Sequence, residues 1–441
     1  MFYIVEDENK LNRLQNLLRL GCYVDVIPSD YNYHPKLTNT VAVYIRLLNS
    51  SLGYIIPINH DEGLNIDKER VFDILKTSNK LYTLNKKELL YHFNLPKAID
   101  ISLLYCMTYF EKLEYSKIDN NLNYFYNKFR ESDKINNLTP ISKLYESCEI
   151  LYEKIKDHIK IEEPKGFDFY NNTATSVFYL LEQQGLGIYY DAFIKMFNPR
   201  EPRYNIVNNT VLTSYNLYNA TSRPTNSFNS VNFAAIPHTE GHRKAFKPQN
   251  DYFVEFDFDG YHLRLLCNQI KYSLTNESAH KQLAKHYFGT EKISDEQYKE
   301  AKQINFQAIY GKIPEEHKNL EIFKLIQKFI DNLYDVWSQL GLVCNPQSLK
   351  PFTKNLKSMH PAKLMNYMMQ SLETSNNILI LKDVLKYLRD KKTKVALYTY
   401  DAILFDFSKD DGKETLQDLQ KILEKDNKYP VKFKFSKDLV L

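Results

Sequence analysis

The pattern of apolar and polar residues is typical of strands in some parts of the chain and of helices in others, and it divides the chain into regions. In the first hundred residues, three short runs rich in β-branched and aromatic residues predict strands: CYVDVI at 22–27, VAVYIRLL at 41–48 and GYIIPI at 53–58. Two segments with helical spacing follow, DKERVFDILK at 67–76 and NKKELLYHF at 85–93. This mixture of elements predicts a small α/β domain.

Beyond this domain the pattern changes twice. Residues 103–160 are polar, helical in period and rich in Lys, Glu and Asn, which predicts an extended helical connector. Residues 204–248 are rich in the loop-forming residues Asn, Ser and Thr. A strand begins near residue 252, helices dominate to about residue 390, and strand patterns return at 395–407. A mainly helical block is therefore inserted between two strand regions that are predicted to share one sheet.

Two strand ends in these regions carry a carboxylate. The pattern VALYTYDAILFDF reverses at Asp401 without the Asn-Gly or Asp-Gly of a tight turn, and the segment 251–270 changes from strand to helix just after Asp257. On neighbouring strands of one sheet, these two carboxylates could hold two Mg²⁺ ions about 4 Å apart. The alternative for Asp257 alone is a helix cap. Asp259 and Asp406 fit a turn contact or a solvated strand face.

A helix with an unusual face lies between the two carboxylates. Ser294 with Gln297 predicts a capping box at its start, and Gly311 with Pro314 predicts its end. One cation and three aromatic residues recur at every fourth position: Tyr298, Lys302, Phe306 and Tyr310. A lysine can neutralise a triphosphate and an aromatic ring can stack on a base. The alternative is a packed amphipathic helix with a snorkelling lysine.

Composition narrows the class of protein. The chain has 441 residues and a formal net charge of +4, which permits nucleic-acid binding without arguing for it. The five cysteines are far apart and form no CxxC, so neither a zinc site nor a disulfide framework is predicted. The N-terminus is too charged for a secretory signal, and the longest apolar runs are too short to span a bilayer. We therefore expect a soluble intracellular protein.

Six segments taken together resemble the family-A DNA polymerases, the DNA polymerase I group, and most closely a compact, phage-type branch. They are DFDGYHLR (257–264) and TYDAILFDF (399–407), similar to the first and last palm motifs; KQINFQAIYG (302–311), similar to the fingers helix; and TSRPTNSFNSVNFAAIP (221–237), GHRKAF (241–246) and HPAKLMNYMMQ (360–370). Each motif is weak alone, but their order and spacing over residues 205–441 are specific.

This resemblance implies a multidomain α+β protein with the right-hand polymerase fold. It would have an antiparallel-sheet palm, helical fingers and a reduced thumb, preceded by an α/β ribonuclease H-like domain of the 3′–5′ exonuclease type. The predicted boundaries are 1–105 for a degenerate exonuclease-like domain, 106–165 for a helical connector or reduced thumb, 166–264 and 376–441 for the two parts of the palm, and 265–375 for the fingers.

The resemblance also implies a role for individual residues. The two metal ions, Mg²⁺ with Mn²⁺ as a substitute, would be carried by Asp257 and Asp401, and Lys302 would neutralise the incoming triphosphate. The other implied nucleotide-binding residues are His280 at the triphosphate, Phe306 stacked on the nucleotide, and Tyr310 under the templating pair. The implied DNA-binding residues are Arg223, Asn366 and Gln370 in the minor groove and Tyr400 at the primer terminus.

Several positions depart from the family's pattern. His262 replaces a Glu that excludes the ribose 2′-hydroxyl, which puts sugar discrimination in doubt, and Ala402 replaces a third palm carboxylate. Tyr298 replaces an Arg directed at the γ-phosphate, for which Lys299 is a candidate substitute. In the N-terminal domain, Asp25 matches the first exonuclease acid, but its partner acids are missing. A structural domain without exonuclease chemistry is therefore expected.

The predicted function is that of a template-directed DNA polymerase. It would add deoxynucleotides to a primer 3′-hydroxyl by two-metal phosphoryl transfer, without 3′–5′ proofreading. Two alternatives are a single-subunit RNA polymerase-like enzyme with relaxed sugar selection, and a catalytically inactive DNA-binding component of a replisome. The implied partners are primer-template DNA, dNTPs and a processivity or replisome partner. We expect a monomer in the cytoplasm, or in the host cytoplasm if a phage encodes it.

Overall fold

The computed structural model describes residues 2–48, 50–118, 120–129, 132, 134–197, 205–226, 231–237 and 241–441. The chain divides into two compact units. The first unit contains the described residues up to Tyr179, together with Asn205 and Ile206, and the second contains the other described residues to Leu441.

The first unit is built on a six-stranded sheet. Its strands are β1 (Phe2–Ile4), β2 (Cys22–Pro28), β3 (Thr40–Leu47), β4 (Gly53–Pro57), β5 (Leu81–Thr83) and β6 (Ile99–Asp100). Their order across the sheet is β1-β4-β3-β2-β5-β6, with β3 antiparallel to both of its neighbours and the other pairs parallel. The three long strands lie within one residue of the predicted segments, so those predictions are confirmed.

Helices cover both faces of this sheet. Successive strand residues point to opposite faces, and the apolar ones on each face form a separate core with the helices there. These helices are α1 (Glu8–Leu18), α2 (Lys68–Leu75), α3 (Lys86–His92), α4 (Ile101–Tyr109), α5 (Asn120–Phe129), α6 (Ile135–Leu138) and α7 (Ile141–Ile155), and α8 (Thr175–Leu181) follows them in the chain. A π-helical turn at Phe169–Ala174 leads directly into α8.

Helix α7 differs from the extended connector that its sequence predicts. Leu144, Cys148, Leu151 and Ile155 are buried in the second core of the sheet. Their spacing of four, three and four residues places them on one face of α7, and this apolar face gains stability by packing on the sheet. The segment therefore belongs to a compact core, while the domain boundaries at 105 and 165 stay predictions.

The second unit contains a four-stranded antiparallel sheet. Its strands are β11 (Tyr252–Phe258), β14 (Lys394–Thr399), β15 (Ala402–Phe407) and β16 (Val431–Ser436), in the order β14-β15-β11-β16. The prediction that the regions around residues 252 and 395–407 share one sheet is confirmed. The smaller strands are β7 (Leu186–Ile188), β8 (Ile206–Val207), β9 (Thr210–Val211), β10 (Phe246–Lys247), β12 (Leu342–Cys344) and β13 (Pro351–Thr353).

Helices connect and cover these strands. They are α9 (Tyr190–Phe197), α10 (Tyr261–Gln269), α11 (Ala279–Phe288), α12 (Asp295–Ile309), α13 (Glu321–Leu340), α14 (Pro361–Tyr387) and α15 (Lys413–Glu424). The predicted capping box of Ser294 and Gln297 is present at the start of α12. Within the described part of the chain, we find no helix with the length and apolar character needed to cross a membrane.

Candidate active site

The hairpin between β14 and β15 reverses through two residues, Tyr400 and Asp401. Tyr400 has a left-handed backbone with φ of 64°, a conformation that costs a residue with a side chain about 1–2 kcal/mol. Two hydrogen bonds hold the turn: Asn377 Nδ2 donates to the Tyr400 carbonyl at 2.7 Å, and the Phe258 amide donates to the Asp401 carbonyl at 3.1 Å. These contacts from neighbouring elements replace the glycine that such turns ordinarily use.

The second bond also brings Asp401 to the end of strand β11. Asp257 pairs with Ala402, and Gly260, whose φ is 58°, turns the chain from β11 into α10. A Cβ on Gly260 would lie 3.0 Å from the Cβ of Ala279, so the turn leaves no room for a larger residue. Asp257 and Asp401 both line a cleft of about 500 Å³.

A third carboxylate, Glu255, lines the same cleft. It lies two residues before Asp257 and therefore projects from the same face of β11. The spacing Glu-x-Asp on a predicted strand was a signal for it, although the sequence analysis did not single it out. Lys434 on β16 pairs with Glu255, which brings a cation to this edge of the cleft.

The acidic groups raise one another's proton affinity. The pKa of Asp257 is raised to about 6, first by partial removal from water in the cleft and then by the charges of Asp401 and Glu255, while Lys434 and Lys302 oppose the shift. Partial removal from water also raises the pKa of Asp401. Carboxylates that repel one another in an open cleft are suited to bind a cation.

The donor set fits an open magnesium site. Among the described residues, no three Asp, Glu, His or Cys side chains lie close enough to enclose a metal ion. Asp257 and Asp401 instead offer oxygen ligands from one side of a wide cleft. Mg²⁺ is commonly bound in this way, by one or two carboxylates that leave positions for water and substrate phosphates.

The predicted face of α12 forms another part of the cleft wall. Tyr298, Lys302, Phe306 and Tyr310 all line the cleft. The Phe306 ring is 45% exposed, and Lys302 Nζ lies 5.8 Å from its centroid. Lys299 is exposed on another face of α12 and does not line the cleft, because one residue along a helix turns the side chain by about 100°.

His280 reaches the cleft from α11. It is buried, and the Asn305 amide lies 3.0 Å from its Nδ1. Burial lowers the pKa of His280 to about 4, so its imidazole is uncharged at neutral pH. The ring centroid lies 5.8 Å from that of Phe306, which places a neutral histidine beside the exposed aromatic ring.

Three cleft residues and Tyr400 are linked through a buried glutamate on α14, Glu373. His262 lies with Nε2 3.1 Å from Glu373 Oε2 and Nδ1 3.3 Å from Tyr310 Oη. Arg223 Nη2 donates a 3.3 Å hydrogen bond to Glu373 Oε1, and its Nε lies 3.1 Å from Oε2. The Arg223 guanidinium also lies over the Tyr400 ring, 3.7 Å from the centroid. Glu373 was not among the predicted site residues, and its place in the polar run from Glu373 to Asn377 was the one signal for it in the sequence.

Four polar residues share one face of helix α14. Asn366, Gln370, Glu373 and Asn377 follow at intervals of four, three and four residues and therefore lie along the same side. Gln370 Nε2 donates to Asn366 Oδ1 at 3.1 Å. Asn366 and Tyr310 line a second open cleft of about 480 Å³.

Two further acids have structural partners. Asp406 accepts hydrogen bonds from the backbone amides of Gln249 and Asn250 at 2.7 and 2.9 Å, as a turn contact does. Asp259 accepts from the Ala279 amide and from Lys432 Nζ, both at 2.9 Å. Burial opposes ionisation of Asp259, but these donors outweigh it and lower its pKa.

In the first unit, a lysine accompanies the acid that the sequence analysis singled out. Asp25 is buried on β2, and Lys117 Nζ lies 3.3 Å from its Oδ1 and 3.0 Å from Glu88 Oε2. Burial alone would lower the pKa of Lys117, but Asp25 and Glu88 outweigh it and keep the pKa above its ordinary value. A fixed ammonium group therefore compensates these two carboxylates.

Comparisons with known proteins identify the fold. No protein-family model matches the chain, and no curated protein matches it. Among solved structures, the fold is similar to that of a polymerase domain. This structure is the POL domain of Pol1 from M. smegmatis in complex with DNA primer-template and dNTP. The TM-score is 0.68 at 11% sequence identity, and the alignment covers 100% of this chain and 99% of that one. At this identity the likeness establishes a polymerase-domain fold of mixed α and β structure.

Proposed function

We propose that the protein is a template-directed DNA polymerase of the family-A type that extends a primer 3′-hydroxyl with deoxynucleotides. One observation carries the proposal: Asp257 and Asp401, from separate segments of a chain with a polymerase-domain fold, line one cleft with Lys302 and Phe306. Paired carboxylates beside a cation and an exposed aromatic ring suit the transfer of a nucleotidyl group.

In this proposal, each wall of the cleft has its own task. Asp257 and Asp401 hold a pair of divalent ions, Mg²⁺ with Mn²⁺ as a substitute, which would activate the 3′-hydroxyl and stabilise the departing pyrophosphate. Lys302 offsets the charge of the triphosphate, and Phe306 stacks on the nucleotide. His280 is close enough to Phe306 to contact the same nucleotide, and does so as a neutral group.

The DNA-binding part of the proposal rests on the residues beside this cleft. Arg223 and Tyr400 contact each other next to Asp401, which suits the primer terminus. Asn366 and Gln370 lie on the neighbouring face of α14, where amides can read the minor groove. Tyr310 lines both clefts and would support the templating base pair.

We propose that the first unit is an exonuclease-like domain of ribonuclease H-like topology without exonuclease chemistry. The strand order β4-β3-β2-β5-β6, with β3 antiparallel, supports this relationship. Lys117 supports the loss of exonuclease activity, because its ammonium occupies the space between Asp25 and Glu88 that a metal ion would need.

The phage-type branch, the reduced thumb, a processivity partner, the monomeric state and a cytoplasmic location stay predictions.

Primer extension tests the proposed activity. With Mg²⁺ and a DNA template, we expect only complementary dNTPs to be added, and we expect Asp257→Asn and Asp401→Asn to reduce the rate at least about a thousandfold. Asp335→Asn, on the exposed side of α13, is the matched control. Absence of extension by the wild-type protein, or normal extension by both cleft variants, would overturn the proposal.

The position of His262 favours one second candidate, an RNA polymerase-like enzyme. His262 lines the cleft between Asp257 and Tyr310, where a sugar-excluding group is expected. The same assay with rNTPs separates the candidates, because a DNA polymerase has the higher kcat/KM for dNTPs.

A further inference from the structure

Glu373 is a buried carboxylate in the middle of α14, and its side chain is only 1% exposed. Removing a carboxylate from water costs several kcal/mol unless ionic or hydrogen-bonding partners compensate it. Its neighbours Leu372 and Thr374 are buried as well. The free-energy cost of burying this carboxylate must be offset, and its two partners show how.

Both partners of Glu373 come from other elements. Arg223 lies in the segment before β11, and His262 lies in the first turn of α10. Both side chains line the large cleft together with Glu373 itself. The carboxylate therefore supports the floor of the candidate active site rather than joining two parts of the core.

The two partners lead to different sides of the cleft. His262 continues to Tyr310 at the end of α12, the wall that carries Lys302 and Phe306. Arg223 continues to Tyr400, the residue beside Asp401 in the hairpin. Glu373 is the group that both contact chains share.

We propose that Glu373 is a positioning residue that joins the nucleotide side of the cleft to the primer side. It fixes His262 so that the imidazole faces the sugar of the incoming nucleotide, and it fixes Arg223 over Tyr400 at the primer terminus. This inference rests on the proposed polymerase function. It predicts that sugar selection and primer binding depend on the same buried carboxylate, although that carboxylate contacts neither substrate.

The hydrogen-bonding inventory explains why one substitution is enough. Glu373 Oε2 accepts from His262 Nε2 and lies 3.1 Å from Arg223 Nε, while Oε1 accepts from Arg223 Nη2 at 3.3 Å. Glu373→Gln keeps the shape but removes the charge and leaves a single acceptor oxygen, so its NH₂ group faces a donor. Arg223 then loses its ion pair in either orientation of the amide, and His262 loses its acceptor when the NH₂ group faces Nε2.

The experiment is a comparison of Glu373→Gln with Thr374→Val, a buried and nearly isosteric change in the same turn of α14. We expect Glu373→Gln to lower the dNTP-over-rNTP ratio of kcat/KM about tenfold and to raise the primer-template Kd several-fold, the scale of one lost charged hydrogen bond. Thr374→Val should leave both quantities unchanged. Thermal melting of each variant reports loss of fold separately.

A double variant tests whether Glu373 acts through His262. If it does, the double variant His262→Ala/Glu373→Gln has the sugar selectivity of His262→Ala alone. Once the imidazole is absent, Glu373 has no His262 side chain to position, so its substitution has no further effect on selectivity. If Glu373→Gln does not fold, Arg223→Lys provides the test: it disturbs the shared carboxylate from the primer side, and sugar selectivity should fall.

The outcomes separate the inference from the function on which it rests. An active Glu373→Gln protein with wild-type sugar selectivity overturns the inference alone, as does an additive double variant or an Arg223→Lys protein with unchanged selectivity. A wild-type protein that extends no primer overturns the proposed function, and the inference falls with it.

Discussion

The ionised form of Asp257 lowers the stability of the folded protein. Above pH 6 Asp257 is ionised in both the folded and unfolded states, and in the folded state it bears the cost of partial removal from water and the repulsion of Asp401 and Glu255. Below about pH 4 the carboxyl is protonated in both states and the cost is absent. Because its folded pKa is the higher one, this group makes stability fall as pH rises between these values.

Asp257→Asn should therefore stabilise the metal-free protein at pH 7.5 by about 1 kcal/mol, since solvent in the cleft screens part of the shift. Thermal melting in EDTA from pH 4 to 8 measures this. The gain should appear as pH rises through the interval from about 4 to 6 and stay constant above it. Asp335→Asn should show no such rise, and a loss of stability in Asp257→Asn at pH 7.5 would contradict the expectation.

Lys302 and Lys299 form a natural pair for comparison, since they share a helix but not a face. Lys302→Ala should reduce kcat/KM for dNTPs by about a hundredfold, because it removes the cation facing the triphosphate. Lys299→Ala should change it little, since Lys299 does not line the cleft. Steady-state nucleotide titrations measure both values, and equal losses would show that Lys299 also reaches the triphosphate.

At the scale of elements, Asn377 determines whether the hairpin can present Asp401. Its amide donates to the Tyr398 hydroxyl at 2.9 Å and to the Tyr400 carbonyl at 2.7 Å, and its oxygen accepts from the Tyr261 hydroxyl. One side chain of α14 thus holds the strand, the turn and the adjoining helix α10 in register.

Asn377→Ala should destabilise the protein by about 2–4 kcal/mol, because it removes three hydrogen bonds, those to the Tyr398 hydroxyl, the Tyr261 hydroxyl and the Tyr400 carbonyl. It should also lower kcat more than it changes the nucleotide KM, since it loosens the turn that carries Asp401. Chemical denaturation and steady-state kinetics measure the two effects. Asn332→Ala, exposed on α13, is the control, and an unchanged kcat in a folded Asn377→Ala protein would contradict the argument.

The sequence predicted those features of the candidate site that depend on residues close together in the chain. The strand ends at Asp257 and Asp401 and the four-residue spacing on α12 are visible in short windows, and the structure brings these residues to one cleft. Glu373 was not predictable in the same way. Its partners are 111 and 150 residues away in sequence, so only the tertiary fold reveals why a glutamate is buried there.

At the scale of the whole molecule, the two units differ in how their central carboxylates are compensated. The second unit leaves its central carboxylates facing an open cleft, whereas the first compensates Asp25 and Glu88 with Lys117. The α/β character of the first unit was evident from its alternating segments. The packing of α7 and the role of Lys117 were not, because both depend on contacts between residues distant in sequence.

Lys117→Met should destabilise the protein by about 3–5 kcal/mol, since it leaves the buried Asp25 and the half-buried Glu88 without a counter-charge. Lys154→Met, on the exposed side of α7, should change stability little. Chemical denaturation measures both. The wild-type protein should not degrade single-stranded DNA with Mg²⁺, and robust degradation, or a Lys117→Met protein as stable as the wild type, would contradict the structural role of this lysine.

The single face of α14 also has a consequence for how the sequence can change. From Asn366 to Asn377 the helix rises about 16 Å, so one straight helix sets the spacing of the Asn366 and Gln370 amides, the Glu373 carboxylate and the Asn377 side chain that holds the hairpin. A one-residue insertion after Gln370 would rotate everything beyond it by about 100° and separate these groups. Helix α14 can therefore tolerate single substitutions, but it cannot tolerate a change in its length. Natural length variation should fall in the loops on either side of the helix.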